Sequence, residues 1–275
     1  MDIQALGALA VRENGVSITP TAPKPRQVLA LLAVHADQVV PVSALIEELW
    51  ADRPPRSART TLQTYVLQLR ELITAALPAQ TPDEEPVSAK DILVTCPGGY
   101  LLNTRGGTSD VREFERLAGL AYRAMDDGDH SGGARLLREA LALWSGAPFA
   151  DVRGGAQLEM EAKRLEESRL CALDQRIEAD LRLGRHRELL AELTVLVSRY
   201  RTHENLCGQF MIALQRSGRR SEALDVYRKL RGTLVRELGL EPSAALRQLQ
   251  RSILLSDTEK ASRATEPASR LAQGT

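Results

Sequence analysis

Short apolar segments open the chain, broken by Gly7, Asn14-Gly15 and Pro20, and this punctuation predicts a small sheet over residues 2–20. After Pro25 the run Val28, Leu29, Leu31, Leu32, Val34 is too long and too rich in Leu and Ala for a strand, so it predicts a buried helix ending near His35-Ala36-Asp37. Val39-Val40 follows as a short extended piece. Leu45, Ile46, Leu49 and Trp50 form the apolar face of a second helix, with Ser43 as its expected cap, Glu47 near its first turn and Pro54-Pro55 beyond its end. A third helix starts near Ser57 and keeps an i, i+3/i+4 apolar repeat through Ala58, Leu62, Tyr65, Val66, Leu69, Leu72, Ile73 and Ala76 up to Pro78. Residues 78–90, with three prolines and Asp83-Glu84-Glu85, read as a mobile loop. Ile92-Leu93-Val94-Thr95, the turn Pro97-Gly98-Gly99 and Tyr100-Leu101-Leu102 then read as a β-hairpin.

From about Thr108 the strand pattern stops and helical stripes alternate with Gly-containing breaks up to residue 255. This stretch repeats itself. Gly184-Arg185-His186-Arg187-Glu188-Leu189-Leu190 aligns with Gly218-Arg219-Arg220-Ser221-Glu222-Ala223-Leu224 at an offset of 34 residues, the tetratricopeptide period. Ala179 then matches Ala213, Leu193 matches Tyr227 and Leu196 matches Leu230, with a looser copy around Gly128, Ala134, Leu137 and Ala140. The fold expected is mainly α with a small β component. A winged helix-turn-helix domain over 1–107 precedes an all-α tetratricopeptide-like domain over 108–255, and the polar residues 256–275 read as a disordered tail.

Composition narrows the function. Thirty-six basic side chains balance thirty-six acidic ones over 275 residues, which excludes a strongly basic protein, and no apolar run approaches membrane-spanning length. No signal segment heads the chain, so a cytoplasmic, nucleoid-associated location is expected. Cys96, Cys171 and Cys207 are odd in number and widely spaced, giving neither a disulfide framework nor a zinc pattern. Phosphate-loop, HExxH and nucleophile-elbow motifs are absent from the sequence, so neither an enzyme nor a bound cofactor or metal is expected. Asp129-His130-Ser131 reads as an inter-helix turn ahead of Gly132-Gly133, and His203 with Cys207 as at most half a metal site. Trp50 and Trp144 read as core rings.

The third helix carries the chemistry. Residues placed at about 100° intervals put Leu62, Val66, Leu69 and Ile73 on one face, opposite Arg59, Thr60, Gln63, Thr64, Leu67, Arg70 and Thr74. From Arg53 to Arg70 there are four arginines and no carboxylate, although residues 1–107 hold nine basic against eleven acidic side chains. Arg neutralises phosphates, while Gln and Thr read base edges. A helix-turn-helix followed by a hairpin is a winged helix, so Arg56, Arg59, Thr60, Gln63, Thr64, Leu67 and Arg70 are the expected DNA-binding residues.

The string from Pro25-Arg26-Gln27-Val28-Leu29-Ala30-Leu31-Leu32 through Leu49-Trp50, Pro54-Pro55, Thr61-Leu62-Gln63-Thr64-Tyr65-Val66 and Leu69-Arg70 to Gly99-Tyr100-Leu101 resembles the SARP family, the antibiotic regulatory proteins of actinomycetes. Trp144, Pro148-Phe149, Glu161, Arg164-Leu165 and Leu238-Gly239-Leu240-Glu241-Pro242-Ser243 resemble that family's second domain. The resemblance implies an OmpR-like winged helix followed by a bacterial transcriptional activation domain. It also implies an activator of a secondary-metabolite gene cluster that binds direct repeats near a promoter and recruits RNA polymerase, including its principal sigma factor. Gln68 and Glu71 stand where members commonly carry basic residues, and Cys96-Pro97 where a wing arginine is common. Modest affinity per protomer follows, offset by two protomers on adjacent repeats. The alternative reading is a tetratricopeptide-type adaptor that binds protein without DNA.

Overall fold

The computed structural model describes residues 1–78 and 87–264. Contacts divide the chain into two compact units, one of Met1–Asp127 with Arg135–Leu173, the other of Gly128–Ala134 with the residues from Asp174 onward.

In the first unit, β1 (Asp2–Gln4), β2 (Ala10–Glu13) and β3 (Val16–Ser17) form an antiparallel meander, and β7 (Thr108–Ser109) adds in parallel to β1. Next come α1 (Pro23–Val34), β4 (Val39–Pro41), α2 (Val42–Trp50) and α3 (Ala58–Ala76). The wing follows as α4 (Ala89–Ile92), β5 (Leu93–Cys96) and β6 (Gly99–Leu102), with sheet order β4-β6-β5. α1 is apolar nearly all round because it is the central helix, with Gln27 through Ala33 all buried. α5 (Asp110–Asp126), the C-terminal part of α6 (His130–Ala142) and the N-terminal part of α7 (Ala156–Arg182) complete the unit.

Several local expectations are corrected. Ser43 is not the cap of α2: the helix begins one residue earlier, at Val42, whose N–H donates to the Gly98 carbonyl at 2.9 Å, and Ser43 is exposed in the first turn. Of the loop expected over 78–90, residues 79–86 lie outside the described residues, and Ala89-Lys90 are helical because Ser88 and Asp91 form a reciprocal capping box. That box also moves the start of the strand from Ile92 to Leu93. The hairpin turn tightens to Pro97-Gly98, with Cys96 opposite Gly99 and Gly98 at φ +78°. Trp144 is buried edge-to-face on Phe114 at 5.3 Å, whereas Trp50 is half-buried at the margin of the core. α11 (Ala244–Ala264) carries helix through residues 256–264, where a tail was expected; residues 265–275 lie outside the described ones.

One apolar core runs from Ile3, Leu6 and Leu9 through α1 and α3 to Phe114, Trp144, Phe149 and Leu158, so it crosses residue 107 without a break. Polar ties do the same. The Asp110 carboxylate accepts the N–H groups of Ala5 and Leu6 at 2.8–3.0 Å, and burial pushes its pKa up in spite of those bonds. Asp37 accepts the Thr104 N–H and hydroxyl at 2.7 Å and an Arg112 N–H at 2.6 Å. Burial opposes its ionisation, but Thr104 and Arg112 together hold its pKa below the usual carboxylate range.

The second unit contains α8 (Leu190–Arg199), α9 (Glu204–Arg216), α10 (Arg220–Leu238) and α11 around Cys207, Met211, Leu214, Ala223, Tyr227, Leu230 and Ile253. The repeat is visible in it. Gly184 and Gly218 end their helices in the left-handed region at φ +79° and +82°, a conformation that excludes most side chains, and Ala179, Ala213, Leu193 and Ala223 are all fully buried. The copies differ after the glycine: Arg220 begins α10 directly, whereas α8 waits until Leu190. Because Ala223 has no exposed surface, Ala223→Leu should overpack this core by roughly 1–3 kcal/mol. Thermal melting of the whole chain reads the effect, and an unchanged melting temperature would show unfilled room at that position.

Candidate nucleic-acid interface

The i, i+4, i+3 spacing of Leu62, Val66, Leu69 and Ile73 turns one face of α3 into the core, each of these at 2% exposure or less. The opposite face is left to solvent. Arg59, Thr60, Gln63, Thr64 and Leu67 are exposed along it, Leu67 at 57%, and Arg56 is exposed in the turn just ahead of the helix. Six of the seven residues expected from sequence therefore share one open surface.

The seventh is tied to the wing. The Arg70 Nε and Nη2 donate to the Leu93 carbonyl at 3.1 and 2.7 Å, and Nη2 also donates to the Thr95 hydroxyl at 2.8 Å. Half-buried, this guanidinium fixes the angle between α3 and β5. Thr64 is also constrained, since its hydroxyl donates to the Thr60 carbonyl at 3.1 Å and presents only its oxygen lone pairs and methyl outward.

Positive charge is left uncompensated at this surface. Arg112, Arg116, Arg164, Arg182 and Arg231 each meet a carboxylate, whereas among the described residues none pairs with Arg53, Arg56 or Arg59. Arg53 was not among the expected contacts, although it begins the acid-free stretch; its exposure beside Arg56 is what the structure adds. No side chain caps α3 and its first turn holds no acid, so among the described residues no side chain of the helix start opposes the positive end of its dipole.

The other sequence candidates resolve into structure. Asp129 accepts from the Ser131 hydroxyl and the Gly132 N–H at 2.9 and 2.8 Å, which closes the turn into α6. His203 caps α9 by accepting the Leu206 N–H at its Nδ1, while Cys207 is buried in the helical core. Among the described residues no cluster of three or more metal-ligating side chains occurs, and no helix is long and apolar enough to cross a membrane.

Comparison with known proteins accords with this arrangement. The family described as bacterial transcriptional activator domain matches residues 109–254, and the family described as transcriptional regulatory protein, C terminal, matches residues 17–83. Regulatory protein DnrI of Streptomyces peucetius is 54% identical over 257 residues, covering 94% of this chain and 93% of its own. The chain belongs to the SARP family. Regulatory protein AfsR of Streptomyces griseus is 33% identical over 96% of this SARP protein but only 25% of its own length. The solved structure of Mycobacterium tuberculosis EmbR in complex with a low affinity phosphopeptide superposes with a TM-score of 0.83 at 31% identity, covering 96% of this chain and 68% of the other. This SARP protein is accordingly a transcriptional regulator with a winged helix-turn-helix ahead of a helical activator domain, and its relatives are regulators rather than enzymes.

Proposed function

We propose that the protein is a sequence-specific DNA-binding activator of a secondary-metabolite gene cluster, with α3 in the major groove of direct repeats near a promoter. Two protomers occupy adjacent repeats, and the helical half recruits RNA polymerase, including its principal sigma factor. It works in the cytoplasm at the nucleoid, without a cofactor. The observation that carries this reading is the open face of α3, where unpaired Arg56 and Arg59 stand at the N-terminal side of an amide and hydroxyls that face away from the core. In this arrangement Gln63 and Thr64 meet base edges, Arg53, Arg56 and Arg59 meet phosphates, and Arg70 positions the wing against α3.

A salt titration of promoter binding separates these roles. Arg59→Ala is expected to lower the slope of log K against log salt by about 0.9, one released counterion, on cognate and random DNA alike. Arg70→Ala is expected to keep the slope and lower the melting temperature, because it removes three hydrogen bonds that hold β5. Binding that does not depend on salt would favour a protein-binding adaptor.

A further inference from the structure

In the second unit, α8, α9 and α10 border a cleft of about 530 Å³. Its floor is apolar, made by Val197 of α8, Cys207 and Phe210 of α9, and Val226 and Leu230 of α10. Burial pushes the Cys207 thiol up to about 11, so this side chain stays neutral near pH 7 and brings no negative charge to the floor. The Thr194 and Ser198 hydroxyls at the α8 edge donate to carbonyls of their own helix, Leu190 and Thr194, at 2.8 Å.

The rim is cationic. Arg201, Arg228, Lys229 and Arg236 line it, and no lining residue is acidic. Arg228 meets Asp225 at 2.6 Å and Arg236 meets Glu237 at 3.3 Å, while among the described residues no carboxylate pairs with Arg201 or Lys229. Gly232 sits in the middle of α10 at the cleft, and a Cβ built there meets nothing within 4 Å. A mid-helix glycine is a poorer helix former than alanine, so the helix is weakened at the point where the cleft is left open.

We propose that this cleft binds a small amphipathic anion: a compact apolar body seated on Val197, Phe210 and Leu230, with one carboxylate, sulfonate or sulfate group held by Arg201 and Lys229. The volume lies in the range of about 300–1,000 Å³ that holds a single small molecule. The site is separate from α3, so it stands or falls independently of DNA binding.

Fluorescence titration of the full chain with 8-anilinonaphthalene-1-sulfonate, paired with its neutral analogue N-phenyl-1-naphthylamine, tests the proposal. One sulfonate dye per chain is expected, bound more tightly than the neutral dye. Gly232→Leu fills the opening and Ser198→Trp covers the α8 edge; each should weaken the sulfonate dye by about tenfold or more with the melting temperature retained. Arg201→Gln combined with Lys229→Gln should weaken the sulfonate dye and leave the neutral dye unchanged. Equal affinity for the two dyes in the wild-type chain, or unchanged binding in both filling variants, overturns the site. Displacement of the dye by an acidic helical peptide at equal or lower concentration overturns the small-molecule assignment.

Discussion

A fragment ending at residue 107 is expected to lose its cooperative melting transition, whereas a fragment continued to Arg182, the end of α7, is expected to keep one. The shorter fragment removes Phe114, Trp144, Phe149 and Leu158 from the core that Ile3, Leu6 and Leu9 share. At roughly 1.5–3 kcal/mol for each large apolar side chain, the loss exceeds about 5 kcal/mol, which rivals the whole stability of a domain. Backbone partners go as well: the Ser145, Phe149 and Ala150 N–H groups donate to the Leu6, Ala5 and Gly7 carbonyls at 2.8–3.0 Å, and Asp110 takes the N–H groups of Ala5 and Leu6. The short fragment should therefore bind promoter DNA weakly because it is unfolded, with its α3 surface intact in sequence. Circular dichroism melts of the two fragments decide this, and a cooperative transition in the fragment 1–107 at the full chain's temperature would refute it.

Glu48→Ala should cost about 3 kcal/mol, the largest single-residue effect expected outside the apolar core. Glu48 is 2% exposed, and its carboxylate accepts the Gln27 amide at 2.7 Å, the N–H groups of Gln157 and Leu158 at 3.0 Å, and that of Gly155. These donors include the first turn of α7, so the carboxylate both caps that helix and opposes its dipole. Removing it strands several buried donors at once. Glu48→Gln should cost nearly as much, since it turns a donor toward N–H groups that need acceptors. The urea midpoint at unchanged m-value measures the effect, and a midpoint equal to wild type would show that water replaces the carboxylate.

The sequence carried the element types well because periodicity is local. The apolar stripe of α3 named its buried face residue by residue, and the 34-residue offset placed Gly184 and Gly218 at equivalent helix ends. Periodicity says nothing of which elements share a core. The change of pattern at Thr108 marks a change from strands to helices, yet Asp110, Phe114 and Trp144 still pack with the N-terminal segment, and only their contacts reveal it. Long-range polar partners were hidden for the same reason. Arg70 reads as one more cation on an exposed face until β5 is brought beside it, and nothing local in the sequence marks Glu48 as a buried cap before Gly155–Leu158 close over it. The exposed residues Arg59, Thr60, Gln63, Thr64 and Leu67 were legible because an amphipathic helix exposes what its core face leaves out.

The central claim is that α3 reads bases, and Gln63 tests it most directly because it is exposed on that helix, within two turns of its N-terminus. Affinity of the wild-type chain and of Gln63→Ala should be measured at one salt concentration on a promoter repeat and on random DNA of equal length. The account predicts that Gln63→Ala costs roughly 1–3 kcal/mol on the repeat and almost nothing on random DNA, so discrimination between the two falls. Full discrimination retained by Gln63→Ala, with both affinities unchanged, would contradict it.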